Sequence, residues 1–210
     1  CGFPEDAAEY RQAAGHIRTA FNERFYKPEE QIYDTGWWDD TRGDKTRYRQ
    51  TSNLLPLALG LVDEENREGV LRNLVADIVA KDYHLDTGMV GTKYLLPVLT
   101  DNGYADVAYK ILTQTTYPSW GYWVEQGATT TWELYENTTR SRDHFFLGTY
   151  DEYLFKYLAG IREVKNGYET VSIRPVLLKG IGYVDASLDT VRGTLASGWE
   201  LRDDGTASLS

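Results

Sequence analysis

The chain has 210 residues, 41% of them hydrophobic and 26% charged, with a net charge of −10. That length suits one domain with a good core, or one and a fraction, and the balance is that of a globular chain rather than a disordered one. The acidic surplus argues against nucleic acid and anionic membrane surfaces as partners, since both need a basic face. The single cysteine, Cys1, leaves no internal disulfide, and no run approaches transmembrane length or reads as a signal peptide. His16, His84 and His144 lie far apart, and no ligand-spaced pair or phosphate loop occurs, so neither metal nor cofactor is expected.

Pro4 to about Phe25 reads as a helix, with Ala8, Ala13, Ala14, Ile17, Ala20 and Phe21 approximating an apolar stripe and Lys27-Pro28 ending it. Gln31 to Arg49 reads as a loop that sets Trp37-Trp38 beside Asp39-Asp40, either a sugar subsite or tryptophans packed at the edge of a core. Thr51–Val62 has leucines on every side, the pattern of a buried helix, and Asp63 to about Lys81 is amphipathic. Asp82–Gly91 is a loop carrying His84, which either bonds a ligand or stabilises its own loop. Thr92–Leu99 is a second buried helix with Pro97 inside it, and Tyr104–Thr115 is its outer partner.

The next stretch, Tyr117 to Glu133, is dense in aromatics. Trp120, Tyr122, Trp123 and Trp132 are flat faces that stack on sugars or fill a core. Gly121 and Gly127 permit turns that a Cβ would obstruct. Thr129–Thr131 offer an N-cap, which would put Glu133 in the first turn of a helix. A carboxylate framed by indoles is what glycoside chemistry uses, and a first-turn acid favoured by the helix dipole reads the same way. Asn137–Asp143 is a short polar connection, and His144 opens a helix from Phe145 to about Leu158.

From about Glu163 the period changes to two. Thr170–Arg174, Val184–Val191, Trp199–Arg202 and Thr206–Ser210 read as strands, with turns at Lys179-Gly180, Arg192-Gly193, Ser197-Gly198 and Asp204-Gly205.

Three groups of motifs carry a resemblance. They are Tyr117-Pro118-Ser119-Trp120-Gly121 with Gly127-Ala128-Thr129-Thr130-Thr131-Trp132-Glu133; Gln50-Thr51-Ser52-Asn53 with the leucine run behind it; and His84-Leu85-Asp86-Thr87-Gly88 with Gly91 to Asp101. Over nearly its whole length the chain resembles the bacterial α-L-rhamnosidases. The resemblance implies a mainly α fold: the C-terminal half of an (α/α)6 barrel over residues 1–162, then an incomplete antiparallel β-sandwich over 163–210. The alternation of apolar and amphipathic helices fits inner and outer barrel helices. It implies that Glu133 is the general base of an inverting glycoside hydrolase and that His144 contacts the sugar. Trp120, Trp132 and His84 join them as candidate substrate contacts. The family's Asn-His-Tyr run reads Asp143-His144-Phe145 here, so the histidine is kept and its neighbours are not.

The resemblance also places the general acid N-terminal to these residues. The expected partner is a rhamnoside, and the missing barrel half, or another chain, is expected to cover an exposed apolar flank. A carbohydrate-binding or degenerate module that keeps the aromatic cleft without turnover is the alternative. A polysaccharide lyase of similar fold would want a basic cleft, which the charge balance disfavours.

Overall fold

Pro4 in the first turn, with Glu5 and Asp6 behind it, starts α1 (Pro4–Phe25), whose bounds match the expectation. The computed structural model describes residues 2–34 and 49–210, in two compact units, Cys1–Tyr94 and Leu95–Ser210. The pair Trp37-Trp38 and the carboxylates Asp39 and Asp40 lie outside the described residues.

In the first unit α1 leads into a two-residue strand pair, β1 (Tyr26–Lys27) against β2 (Ile32–Tyr33). Then come α2 (Gln50–Ala58) and α3 (Glu64–Ala80), packed on each other. The α2 helix is shorter than its leucines suggest: it stops at Ala58, and Leu59 beyond it is 58% exposed. Its buried face includes two polar side chains, Gln50 and Asn53, each without exposed surface. Buried amides need partners, and both have them. Asn53 accepts from Tyr33 N at 2.8 Å and donates to Tyr33 O and Arg49 O. Gln50 donates to Asp77 Oδ2 at 3.0 Å and accepts from Asp86 N at 3.0 Å. The Gln-x-x-Asn motif therefore fastens β2, α3 and the His84 loop to α2. By contrast α1 buries none of its residues. Phe3, just before the helix, and Tyr10 and Ile17 on it, seven residues apart, are 68%, 73% and 62% exposed.

The boundary between units falls within α4 (Met89–Asp101). The second unit continues with α5 (Ala105–Leu112) and α6 (Trp120–Glu125). The segment from Phe145 to Leu158 is not one regular helix. It is a 3₁₀ turn (Phe145–Gly148), a single α turn, α7 (Tyr150–Tyr153), and a π turn (Leu154–Leu158) closed by Ala159 N to Leu154 O.

Two small antiparallel sheets follow. One pairs β3 (Ile161–Lys165) with β4 (Thr170–Ile173); the other has the order β5 (Tyr183–Thr190), β6 (Gly193–Leu201), β7 (Ala207–Leu209). The turn expected at Ser197-Gly198 does not form, and β6 runs straight through it. Gly198 pairs with Asp185 in the ladder and exchanges two backbone bonds with Ser210, where a Cβ would lie 2.7 Å from the Ser210 hydroxyl. Here the glycine serves close approach rather than a turn.

The last carbonyls of a helix have no partner within it. In this unit four successive ones are satisfied by the residues that follow. Tyr157 O accepts from Val176 N at 2.8 Å and Gly160 O from Arg174 N at 2.9 Å. Between them, Leu158 O accepts from the Trp199 indole at 2.7 Å and Ala159 O from the Ser197 hydroxyl at 2.6 Å, both buried. Gly160 itself takes φ +76°, and a Cβ there would lie 2.2 Å from Pro175 N. The β region thus acts as the C-cap of the helical segment.

Candidate functional site

Glu133 does not open a helix. Residues 128–144 are non-helical, because the threonines expected to cap a helix pair with the returning strand of the same loop. His144 N donates to Thr131 O at 2.8 Å, Glu133 N donates to Ser141 O at 3.1 Å, and Thr131 Oγ1 donates to His144 O at 2.8 Å. Thr130 Oγ1 donates to Arg142 O. Once these groups are satisfied across the loop, a helix start has nothing left to gain. The pairing brings Glu133 and His144 onto neighbouring segments, although eleven positions separate them in sequence.

The loop between them is closed from within. Thr139, buried, accepts from Leu134 N at 3.3 Å and donates to Ser141 O at 3.2 Å. Arg142 donates to Asn137 through both its carbonyl, at 2.9 Å, and its side-chain oxygen, at 3.1 Å. The same guanidinium lies 4.7 Å over the Trp132 ring, a cation–π contact. The pairing of Thr131, Thr139 and Arg142 across this loop leaves no periodic signal in the sequence.

The tryptophans serve as supports. Trp132 is 2% exposed, its ring 6.1 Å from Trp123, which stacks on Tyr135 at 4.8 Å. Trp120 is 7% exposed and donates to Leu147 O at 2.7 Å, with its ring edge-on to Tyr150. Ser119 caps α6 by accepting from Tyr122 N at 3.0 Å, the local signature of an N-cap serine. A cleft of about 520 Å³ is lined by Trp120, Trp123, Ala128–Thr131, Tyr150 and Leu154 among others, and Glu133, Trp132 and His144 do not line it.

Glu133 is half-buried, and among the described residues no side chain forms an ion pair or hydrogen bond with its carboxylate. Such a carboxylate can take a proton from water. Tyr117, on the approach to α6, donates to Glu136 Oε1 at 3.1 Å. Burial, and then that carboxylate, raise the Tyr117 pKa.

His84 belongs to the first unit. Its Nδ1 lies 2.8 Å from Lys81 O; a carbonyl only accepts, so Nδ1 carries the proton of that bond. Lys81 in turn bridges Asp77 and Asp86 at 3.0 and 2.6 Å. Burial works to lower the Lys81 pKa, but the two carboxylates outweigh it and the pKa is raised. Among the described residues no three His, Cys, Asp or Glu side chains are grouped to hold a metal ion, and no helix is long and apolar enough to cross a membrane.

Residues 1–158 match the bacterial alpha-L-rhamnosidase six-hairpin glycosidase domain, and residues 160–210 the bacterial alpha-L-rhamnosidase C-terminal domain. An alpha-L-rhamnosidase of Streptomyces avermitilis is 34% identical over 96% of this chain, and one of Formosa agariphila is 33% identical over 87% of it. The solved alpha-L-rhamnosidase structure from Dictyoglumus thermophilum superposes with a TM-score of 0.87 at 37% identity, covering 96% of this chain and 22% of its own. That of the Streptomyces avermitilis enzyme complexed with L-rhamnose gives 0.83 at 34%, covering 96% of this chain and 19% of its own. The chain thus spans about a fifth of the length of these relatives. It is mainly helical with a small antiparallel region at its C-terminal end, and it belongs to the bacterial alpha-L-rhamnosidase six-hairpin glycosidase family.

Proposed function

We propose that this chain contributes the base side of an inverting site that releases terminal α-L-rhamnose from a glycoside. The observation that carries the reading is the paired loop, which holds an unengaged, half-buried Glu133 beside the segment of His144. In the step itself, the Glu133 carboxylate accepts a proton from water. The water oxygen forms a bond to the anomeric carbon as the bond to the leaving oxygen breaks on the opposite face. A second carboxyl protonates that leaving oxygen, and inversion requires the two to stand about 6.5–9.5 Å apart to admit the water.

The acid is assigned to residues outside this chain. A preceding barrel half, or a partner chain, would supply it, and would cover the exposed Phe3, Tyr10 and Ile17 side chains. His144 is assigned to a sugar hydroxyl; His84, whose Nδ1 is held by Lys81 O in the first unit, is given no part in that contact. Trp120 and Trp132, being buried, hold the loop and act on the sugar through it. Proton NMR of an α-L-rhamnoside hydrolysed by the full-length polypeptide tests the stereochemistry. The first-formed sugar is expected to be the β anomer; an α anomer would contradict a base mechanism. Rhamnose binding without turnover would favour a binding module.

A further inference from the structure

We propose that Arg142 is a positioning residue for the general base: it clamps the loop that carries Glu133 without taking the Glu133 carboxylate as its partner. The proposal rests on the reading of Glu133 as that base. The clamp has a backbone part and a side-chain part. Along the backbone, Arg142 O accepts from Thr130 Oγ1, and the carbonyl of the preceding Ser141 accepts from Glu133 N at 3.1 Å. The side chain then reaches residues on both sides of Glu133. Its Nη2 donates to Asn137 O at 2.9 Å and to Asn137 Oδ1 at 3.1 Å, while the guanidinium carbon lies 4.7 Å from the centroid of the Trp132 ring. Trp132 immediately precedes Glu133 and is held in the core, whereas Asn137 is exposed. The guanidinium thus ties the outer part of the loop to its buried root.

Of the two long cationic side chains only arginine does both jobs. A planar guanidinium lays a face on the indole and keeps N–H groups in its plane for the oxygens, while an ammonium is a point charge without a face. What Arg142 leaves alone bears equally on the argument. The chain has a net charge of −10, and Glu133, Glu136 and Asp143 all lie close to Arg142 in sequence. Yet among the described residues its guanidinium is held by Asn137 and Trp132 and pairs with no carboxylate. An ion pair with Glu133 would favour the charged carboxylate and oppose its uptake of a proton from water. Held by an amide and an indole instead, the cation fixes the loop and leaves that carboxylate to the water.

The test is the kinetics of the full-length polypeptide on an aryl α-L-rhamnoside in four forms: wild type, Arg142→Ala, Glu133→Gln and the double variant. Arg142 is one of several ties on the loop, and misplacing a reacting group by ~1 Å costs on the order of 10²-fold, so Arg142→Ala is expected to lower kcat about tenfold with KM within about twofold. In the Glu133→Gln background the same change is expected to cost less than about twofold, because no base is left to position. Guanidinium ion at millimolar concentration is expected to restore activity to Arg142→Ala and to neither Glu133→Gln form. The urea midpoint of Arg142→Ala should stay near that of wild type, since the side chain is exposed. Arg142→Ala within about twofold of wild type, a full tenfold loss added to that of Glu133→Gln, or a loss that guanidinium leaves untouched overturns the positioning role and leaves Glu133 as the base. A Glu133→Gln variant with wild-type kcat overturns the reading of the base, and the role of Arg142 falls with it.

Discussion

Removing the Trp199 indole N–H should unfasten the helical segment from the sheet that caps it. In Trp199→Phe, Leu158 O loses its donor in a place water does not reach, since Trp199 is 3% exposed and the bond is buried. A buried acceptor left unsatisfied costs about 1–3 kcal/mol. The smaller ring leaves a cavity of roughly 40 Å³, which at ~24 cal/mol per Å³ adds about 1 kcal/mol. The expected loss is therefore about 2–4 kcal/mol. Ser197→Ala removes the neighbouring cap with almost no change in volume and should cost about 1–2 kcal/mol. Urea unfolding followed by circular dichroism measures both; with a slope near ~2 kcal/mol/M, Trp199→Phe lowers the midpoint by about 1–2 M. Because the two carbonyls are adjacent, the double variant should depart from additivity by more than about 0.5 kcal/mol. A loss below about 1 kcal/mol for Trp199→Phe, with strict additivity, would refute the idea that these side chains hold the helix end.

Three other outcomes follow from the same geometry. Gly160→Ala places a Cβ against the Pro175 backbone at positive φ; it should cost about 3 kcal/mol or more, seen as a fall in Tm. Tyr157 is raised well above the ordinary phenol range by burial and by its bond to Asp101, and Tyr33 is pushed up to about 12 by burial and then by Asp63. Their neutral forms are favoured in the fold, so this stability is fully present below about pH 10, where free tyrosine titrates. It is lost as pH rises from there through the folded values; urea midpoints between pH 8 and 12 should fall only above pH 10, less steeply in Tyr157→Phe. Thr131→Val keeps the side-chain shape and deletes the 2.8 Å bond to His144 O; it should cost about 1 kcal/mol in urea, whereas Thr131→Ser should not.

How far the sequence reveals this molecule depends on the range of the interactions. The bounds of α1 and the core of α3 are legible because capping residues and helical spacing act within a few positions. The motifs also carry the family, and the domain models agree with that resemblance. The misread segments are those where a distant partner wins. The Thr129–Thr131 run looks like a helix cap, yet its carbonyl and hydroxyls are committed to Arg142 and His144. Ser197-Gly198 looks like a turn, yet the serine caps Ala159 and the glycine admits Ser210. Phe145–Leu158 has the pattern of one helix but breaks into three kinds of turn. β3 was missed because its partner, β4, lies beyond an intervening turn. The motifs single out Glu133 and His144 as candidates, and the structure sets them on neighbouring segments of one loop. Arg142, which closes their loop, is not singled out, because nothing in its neighbourhood announces a cation–π contact with Trp132.

The most direct test is hydrolysis of an aryl α-L-rhamnoside by the full-length polypeptide and by its Glu133→Gln variant, which keeps the size of the side chain and removes its basicity. The account predicts that kcat falls about 10²–10⁴-fold with KM little changed, as loss of a general base does. A variant within about tenfold of wild type would show that Glu133 is not the base.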